Sequence, residues 1–294
     1  MNIGFIGAGK VGCSLGRYFA ENGRDYSLFV KGYYSRSNIS AKEAANFTDS
    51  VVYESIRALT DDCDVIFLTV PDGSIQTIWQ QIRDYDIKGK SICHCSGAMS
   101  SEDAFSGIGK TGAFGYSVHP LFAVSDKYNA YRELTGVFFT IEGCRKQDES
   151  PEIKNLISAL HAMGNSTHMI DSDCKTVYHC AAAMASNLVC GLIDQSMKLM
   201  ERCGFTQKEA VKALAPILTG NMAHIAERGP ADSLTGPIER NDTETVRKHL
   251  ECLHDDEIDI YRSLSRRLVE IAQRRHPDRD YSEMAELLRK EIEK

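Results

Sequence analysis

Four groups of residues have the types and spacing that chemistry needs. The first is Gly7-Ala8-Gly9-Lys10-Val11-Gly12, which follows a short apolar run, Asn2 to Ile6. It opens a stretch in which Val11, Leu15, Tyr18 and Phe19 share one helical face. Between a strand and a helix, each glycine has a physical task. Gly7 permits a tight turn, Gly9 lets the backbone approach a pyrophosphate, and Gly12 lets helix and strand pack closely. The helix N-terminus then offers unpaired N–H groups and a positive dipole end to phosphates. The alternative is a glycine-rich turn that binds nothing.

The second group is Ser35-Arg36-Ser37, about twenty residues further on, where a dinucleotide fold normally places Asp or Glu on the ribose 2′-OH. No acid stands there. Two hydroxyls flanking a guanidinium suit a 2′-phosphate through charge-assisted hydrogen bonds. The reading is therefore NADP(H) rather than NAD(H), and the missing acid also argues against a methyltransferase or a flavin protein. The third group gathers at strand ends: Val70-Pro71-Asp72, then His94 with Ser96-Gly97, then His119. These fall at the carboxyl edge of a parallel sheet, where ligands bind. Asp72 is also placed to cap the helix that follows.

The fourth group lies on helices. Lys175, His179, Ala183 and Asn187 recur every four residues and share a strip of an otherwise apolar helix. Polar groups on such a strip must find partners or face a cleft. In a cleft, Asn187 would orient a carbonyl or carboxamide, and Lys175 or His179 would supply a proton. Arg240 sits in an irregular Gly-Pro stretch, Gly229 to Asp242, and can pair an anionic group. Asp242 beside it reads as a helix cap.

The elements that must position these groups alternate through the first half. Strands are expected at Asn2 to Ile6, Tyr26 to Tyr34, Val51-Val52, Asp64 to Val70, Lys90 to Cys95, Gly112 to Val118 and Val137 to Glu142, with helices between most of them. That alternation predicts an α/β fold with a doubly wound, mostly parallel sheet. The period then turns helical: Pro151 to Met163, a short extended link at Ser166 to Ile170, and one helix of about thirty residues, Asp173 to Cys203, some 45 Å long. Thr206 and Glu209 form a capping box for the next helix, which Pro216 breaks or kinks. Amphipathic helices follow at Asp256 to Gln273 and Ser282 to Lys294. The expected division is a dinucleotide-binding domain over 1–150 and a helical substrate and dimerisation domain over 151–294.

Composition narrows the function classes. The chain has 294 residues and a net charge of −7. Without a clustered basic patch, nucleic acid is not an expected partner. No apolar run of membrane-span length is expected, and a strand beginning at Asn2 is expected to leave no room for a signal peptide. Ten cysteines without a C-x-x-C pair read as small hydrophobes in a reducing cytoplasm, with no metal site expected.

Several motifs together resemble the Rossmann-like proteins with a C-terminal DUF2520 domain. They are Gly7 to Gly12, Val70-Pro-Asp72, Ser117-Val-His-Pro120, Tyr178-His179 with Ala185-Ser-Asn187, and Leu234-Thr-Gly-Pro-Ile-Glu-Arg240 with Asp242 and His249. More distantly the layout is similar to pyrroline-5-carboxylate reductase, ketopantoate reductase and the β-hydroxyacid dehydrogenases. The resemblance implies a Rossmann domain followed by an all-helical domain of the 6-phosphogluconate dehydrogenase type, commonly dimeric. It also brings the label NADP or coenzyme F420 oxidoreductase-like. The catalytic pattern departs from those relatives: ketopantoate reductases carry Asn one turn after the helix lysine, where His179 stands here. The expectation is an NADP(H)-dependent oxidoreductase acting on a C=O or C=N carbon of a small anionic metabolite. Asn187 would orient, Lys175 or His179 would supply a proton, His119 would lie at the rim and Arg240 would hold the anion. The rival is a non-catalytic NADP-binding sensor or scaffold.

Overall fold

The apolar run Asn2–Ile6 forms strand β1, and residues 3 to 6 are fully buried because sheet neighbours and helices enclose them on every side. The computed structural model describes residues 1–143 and 149–289. The chain forms two compact units, Met1–Ser186 and Asn187–Lys294. In the first, β1 is followed by α1 (Lys10–Asn22), β2 (Phe29–Tyr34), α2 (Asn38–Thr48), β3 (Val51–Val52), α3 (Ile56–Asp62) and β4 (Val65–Leu68). Then come α4 (Asp72–Ile82), β5 (Ser91–His94), α5 (Ser101–Ala104), β6 (Phe114–Pro120), β7 (Phe138–Gly143), α6 (Pro151–Ala162), β8 (Ser166–Ile170) and α7 (Lys175–Ala185).

The eight strands make one sheet in the order β3-β2-β1-β4-β5-β6-β7-β8. Every pairing is parallel except β6 with β7. The doubly wound, mostly parallel sheet expected from the alternation is therefore present. The run 166–170, read in sequence as a link, is its last strand, paired to β7 from Phe138↔Ser166 to Glu142↔Ile170. The expected domain boundary at 150/151 falls between β7 and α6, inside the first compact unit.

Side chains alternate between the two faces of the sheet. Phe5, Phe67, Tyr33 and Phe19 build one apolar cluster under α1 and α2, while Ile6, Ile66, Leu68 and Trp79 build the other under α3 and α4. Stacked rings tie the first cluster together, with Phe5 centroids 5.2 Å from Tyr33 and 5.4 Å from Phe67. Tyr33 also donates from its hydroxyl to the Gly12 carbonyl at 3.2 Å. It reaches there because Gly16 lacks a side chain: a Cβ at that position would stand 1.7 Å from the phenol oxygen.

The second unit consists of α8 (Asn187–Arg202), α9 (Gln207–Ser233), α10 (Thr243–Cys252), α11 (Asp255–Arg275) and α12 (Ser282–Leu287). Val246, Leu250, Val269, Tyr281 and Met284 are among its buried core. The part of the expected terminal helix beyond residue 289 lies outside the described residues.

Four expectations are corrected. The thirty-residue helix is two helices, because Ser186 takes a non-helical conformation, φ −125° and ψ −78°. Pro216 does not end α9. The interruption is at Gly229, whose φ of 79° is left-handed, so the irregular stretch starts after Ser233. The stretch Ser172–Arg202, 31 residues with a mean hydropathy of 1.4 over its most apolar window, has the length and composition of a membrane span. Its alanines and cysteines raise that value without forming the long leucine- or isoleucine-rich run that signals a span by eye. Finally, among the described residues only Cys13, Cys63 and Cys93 are buried, while Cys174, Cys180, Cys190, Cys203 and Cys252 are exposed.

Candidate active site

The glycine turn has the geometry its spacing predicts. Gly7 has φ +113°, and a Cβ there would stand 2.5 Å from the Thr69 carbonyl oxygen. A Cβ on Gly12 would stand 2.4 Å from Thr69 Oγ1, which itself donates to the Gly7 carbonyl at 2.9 Å. Gly9 differs: a Cβ there would meet nothing within 4 Å. Gly9 also occupies the N-cap of α1 without a side-chain cap, leaving the first-turn N–H groups to a ligand or solvent. The turn borders a cavity of about 480 Å³.

Of the expected cofactor residues, Gly7, Ala8, Gly9, Ser35, Arg36, Val70 and Pro71 line this cavity. Lys10 is exposed at the start of α1 and Val11 packs on the core. Ser37, expected on the cofactor, is instead a helix cap, its Oγ accepting from the Ser40 N–H at 3.2 Å, and Ser40, which was not expected, lines the cavity. Thr69, Thr77 and Gln81 also line it. Thr77 and Gln81 are four apart on α4 and so share a face, a pattern readable in sequence once α4 is known to border the cavity. Asp72 is the first residue of α4 rather than its cap, which is Pro71.

A second group of side chains assembles further along the same sheet. Register places His94, Ser117 and Glu142 side by side across β5, β6 and β7, and all three are fully buried. Lys175, at the start of α7, extends down to them and donates to Ser117 Oγ. Only 1 % of Lys175 is exposed. Burial pushes its amine down to about 8, opposed by the nearby Glu142, Cys95 and Asp72. Burial raises Glu142, although its carboxylate accepts from the Ser101 N–H at 2.7 Å and Ser101 Oγ at 2.9 Å.

Ser96 fixes the loop after β5. Its hydroxyl donates to the Asp72 carboxylate at 2.6 Å and accepts from the Ala98 and Met99 N–H groups, while its own N–H donates to His94 Nδ1 at 3.1 Å. That bond, with burial that lowers His94 to about 3, keeps the ring neutral. His94 is thus a loop support. The held loop presents Gly97 to two imidazoles: a Cβ on Gly97 would stand 2.8 Å from His179 Cδ2 and 2.9 Å from His119 Nε2. His119 Nδ1 and the Tyr178 hydroxyl are 2.7 Å apart, their rings edge to face at 85°.

The first unit therefore brings Lys175, His179, His119, Gly97, Ser96 and Asp72 together, with Lys175 directed inward and His179 exposed. It adds Ser117, Glu142 and Tyr178, which residue types and spacing did not mark as site residues. Asn187 and Arg240 belong to the second unit: Asn187 begins α8, beyond the break at Ser186, and Arg240 is exposed between α9 and α10. Asp242 caps α10, accepting from the Thr245 N–H at 3.0 Å, as its position predicted. Among the described residues, no three His, Cys, Asp or Glu side chains are grouped to hold a metal ion.

The chain is similar over most of its length to protein TM1727 from Thermotoga maritima, with 25 % identity, a TM-score of 0.70, and 92 % of this chain and 98 % of that one covered. A pyrroline-5-carboxylate reductase from Coxiella burnetii has the same fold at 16 % identity and a TM-score of 0.64, covering 99 % of each chain. A curated relative, a glycerol-3-phosphate dehydrogenase [NAD(P)+] from an Exiguobacterium strain, is 27 % identical over 103 residues. That match spans only 32 % of this chain and 30 % of the relative. Residues 1–120 match the Rossmann-like domain family, and residues 137–268 match the family described as domain of unknown function DUF2520. The chain is thus a Rossmann-like domain joined to a DUF2520 domain.

Proposed function

We propose that this protein is an oxidoreductase that uses NADP(H) on a C=O or C=N carbon of a small metabolite. One observation carries the reading: a single sheet edge bears both the glycine-turn cavity and the Lys175–Ser117, His119–Tyr178 and His179 group. The residues present fit a dinucleotide. Open space at Gly9 and the uncapped first turn of α1 suit a pyrophosphate. Arg36 with Ser35 and Ser40 suits a 2′-phosphate. The match to an NAD(P)+-named dehydrogenase, though partial, supports the same class. When bound, the nicotinamide supplies or accepts hydride.

The chain's own residues supply the rest. The Ser96 hub holds Gly97 against His119, so a substrate heteroatom near them meets an ordered N–H donor. Lys175 places positive charge beneath the site from a water-poor setting, where it acts on developing negative charge more strongly than in water. His179 is exposed beside Gly97. The test is oxidation of NADPH, followed at 340 nm, with pyruvate, other 2-keto acids and the cyclic imine 1-pyrroline. At least one should be reduced, and H179A should lower turnover while leaving NADPH binding intact. A protein that binds NADPH but reduces none of these compounds would remove the assigned substrate class.

A further inference from the structure

We infer that Tyr178 and His119 form a proton relay, with the Tyr178 hydroxyl donating to Nδ1 so that His119 presents its Nε2–H to the heteroatom of the substrate. The substrate in this inference comes from the oxidoreductase reading above, whereas the relay geometry stands without it. Lys175 is an unsuitable direct donor, because it is 1 % exposed and already bonded to Ser117. His94 is fully buried. His119 is half-buried, and its Nε2 has no hydrogen-bond partner among the described residues.

The direction of the 2.7 Å bond follows from what surrounds the phenol. Among the described residues His119 Nδ1 is the hydrogen-bond partner of the Tyr178 hydroxyl, and no other acceptor within hydrogen-bond distance competes for its proton. The phenolic proton is then left for Nδ1, an sp² nitrogen that accepts well when the ring is neutral. The charged and titratable groups acting on His119 include Lys175 and His179 from α7, Asp72 from α4 and His94 from β5. Burial, then the neighbouring Lys175 and His179, outweigh Asp72 and push the His119 imidazole down to about 4, so the ring is neutral at pH 7.

The relay balances in the reductive direction. As the substrate carbon gains hydride, the C=O π pair moves onto oxygen, and oxygen takes the Nε2 proton. Nδ1 takes the Tyr178 proton in the same event, so His119 is never charged. A phenolate remains, facing the Lys175 ammonium 5.6 Å from the ring centroid; once product leaves, solvent protonates the vacated Nε2 and the Nδ1 proton returns to the phenolate, which restores the starting tautomer. Tyr178 acts through His119 and is in that sense a positioning residue.

Long-range proton–nitrogen NMR of the ¹⁵N-labelled protein at pH 7, with His119 assigned through H119Q, reads the ring directly. Expected are a protonated Nε2 and a bare Nδ1 carrying the shift of a hydrogen-bond acceptor, changing to a mixture of tautomers in Y178F. G97A gives an independent variant: its Cβ would stand 2.9 Å from Nε2, so the Nε2 signal should move while Nδ1 stays bare. A protonated Nδ1 in the wild type, or a Y178F spectrum that matches it, overturns the relay. With a carbonyl or imine probe that the protein reduces, Y178F should lower kcat about 100-fold with KM within about twofold. A loss confined to KM contradicts the relay. Failure of the wild type to bind NADPH would strike the oxidoreductase reading instead, and the two failures are separable.

Discussion

A lysine closed off from water is the most exacting residue in the site. Lys175 loses hydration that one hydroxyl hydrogen bond to Ser117 only partly replaces, so its amine falls to about 8 from the usual 10.5. The sign of the linkage follows. Between those two values the unfolded chain holds the proton and the folded chain has released it, so stability contributed by this position rises as pH rises through the window. Thermal melting of the wild type, relative to K175M, should therefore gain between pH 8 and pH 10.5. A constant difference across that range would mean the amine is not penalised by burial. Spacing alone placed Lys175 and His179 on one strip. It did not show that the longer side chain turns inward while the imidazole remains exposed. That outcome depends on Ser117 and Glu142, which meet Lys175 through strand register and are remote from it in sequence.

At the scale of elements, the strand–turn–helix opening was legible because each glycine answers a local steric demand. Gly9 and Gly12 make that demand testable. G12A puts a Cβ 2.4 Å from Thr69 Oγ1, an overpacking that should cost about 1–3 kcal/mol in a denaturant melt. G9A meets no atom within 4 Å and should melt within about 0.5 kcal/mol of the wild type, yet weaken NADPH at least tenfold because the methyl enters the pyrophosphate's space. Equal destabilisation by the two substitutions, or undiminished NADPH binding by G9A, would contradict the assigned roles. Other elements were less legible. The apolar period runs unbroken from residue 173 to 203, and nothing in the propensity of Ser186 marks the break. Pro216 was the obvious breaker in α9, yet the left-handed backbone is at Gly229, the residue type that tolerates it. Strand β8 was hidden because its residues, two exposed and three half-buried at a sheet edge, lack the apolar run of β4.

At the scale of the whole molecule, alternation followed by helix was enough to place a parallel sheet before a helical region. The family matches over residues 1–120 and 137–268 accord with that order. The compact division is drawn later, after Ser186, because α6, β8 and α7 complete the first unit. The candidate chemistry is consequently concentrated there, while Asn187 and Arg240, chosen by type and spacing, fall in the second. The central claim is that the glycine-turn cavity takes NADP(H), and its most direct test is titration of NADPH and NADH into the wild type and R36A, followed by nicotinamide fluorescence. The wild type should bind NADPH more tightly, and R36A should lose about 10- to 100-fold in NADPH affinity, the worth of a charge-assisted hydrogen bond, with NADH within about twofold. Equal losses for both cofactors, or no binding of either by the wild type, would contradict it.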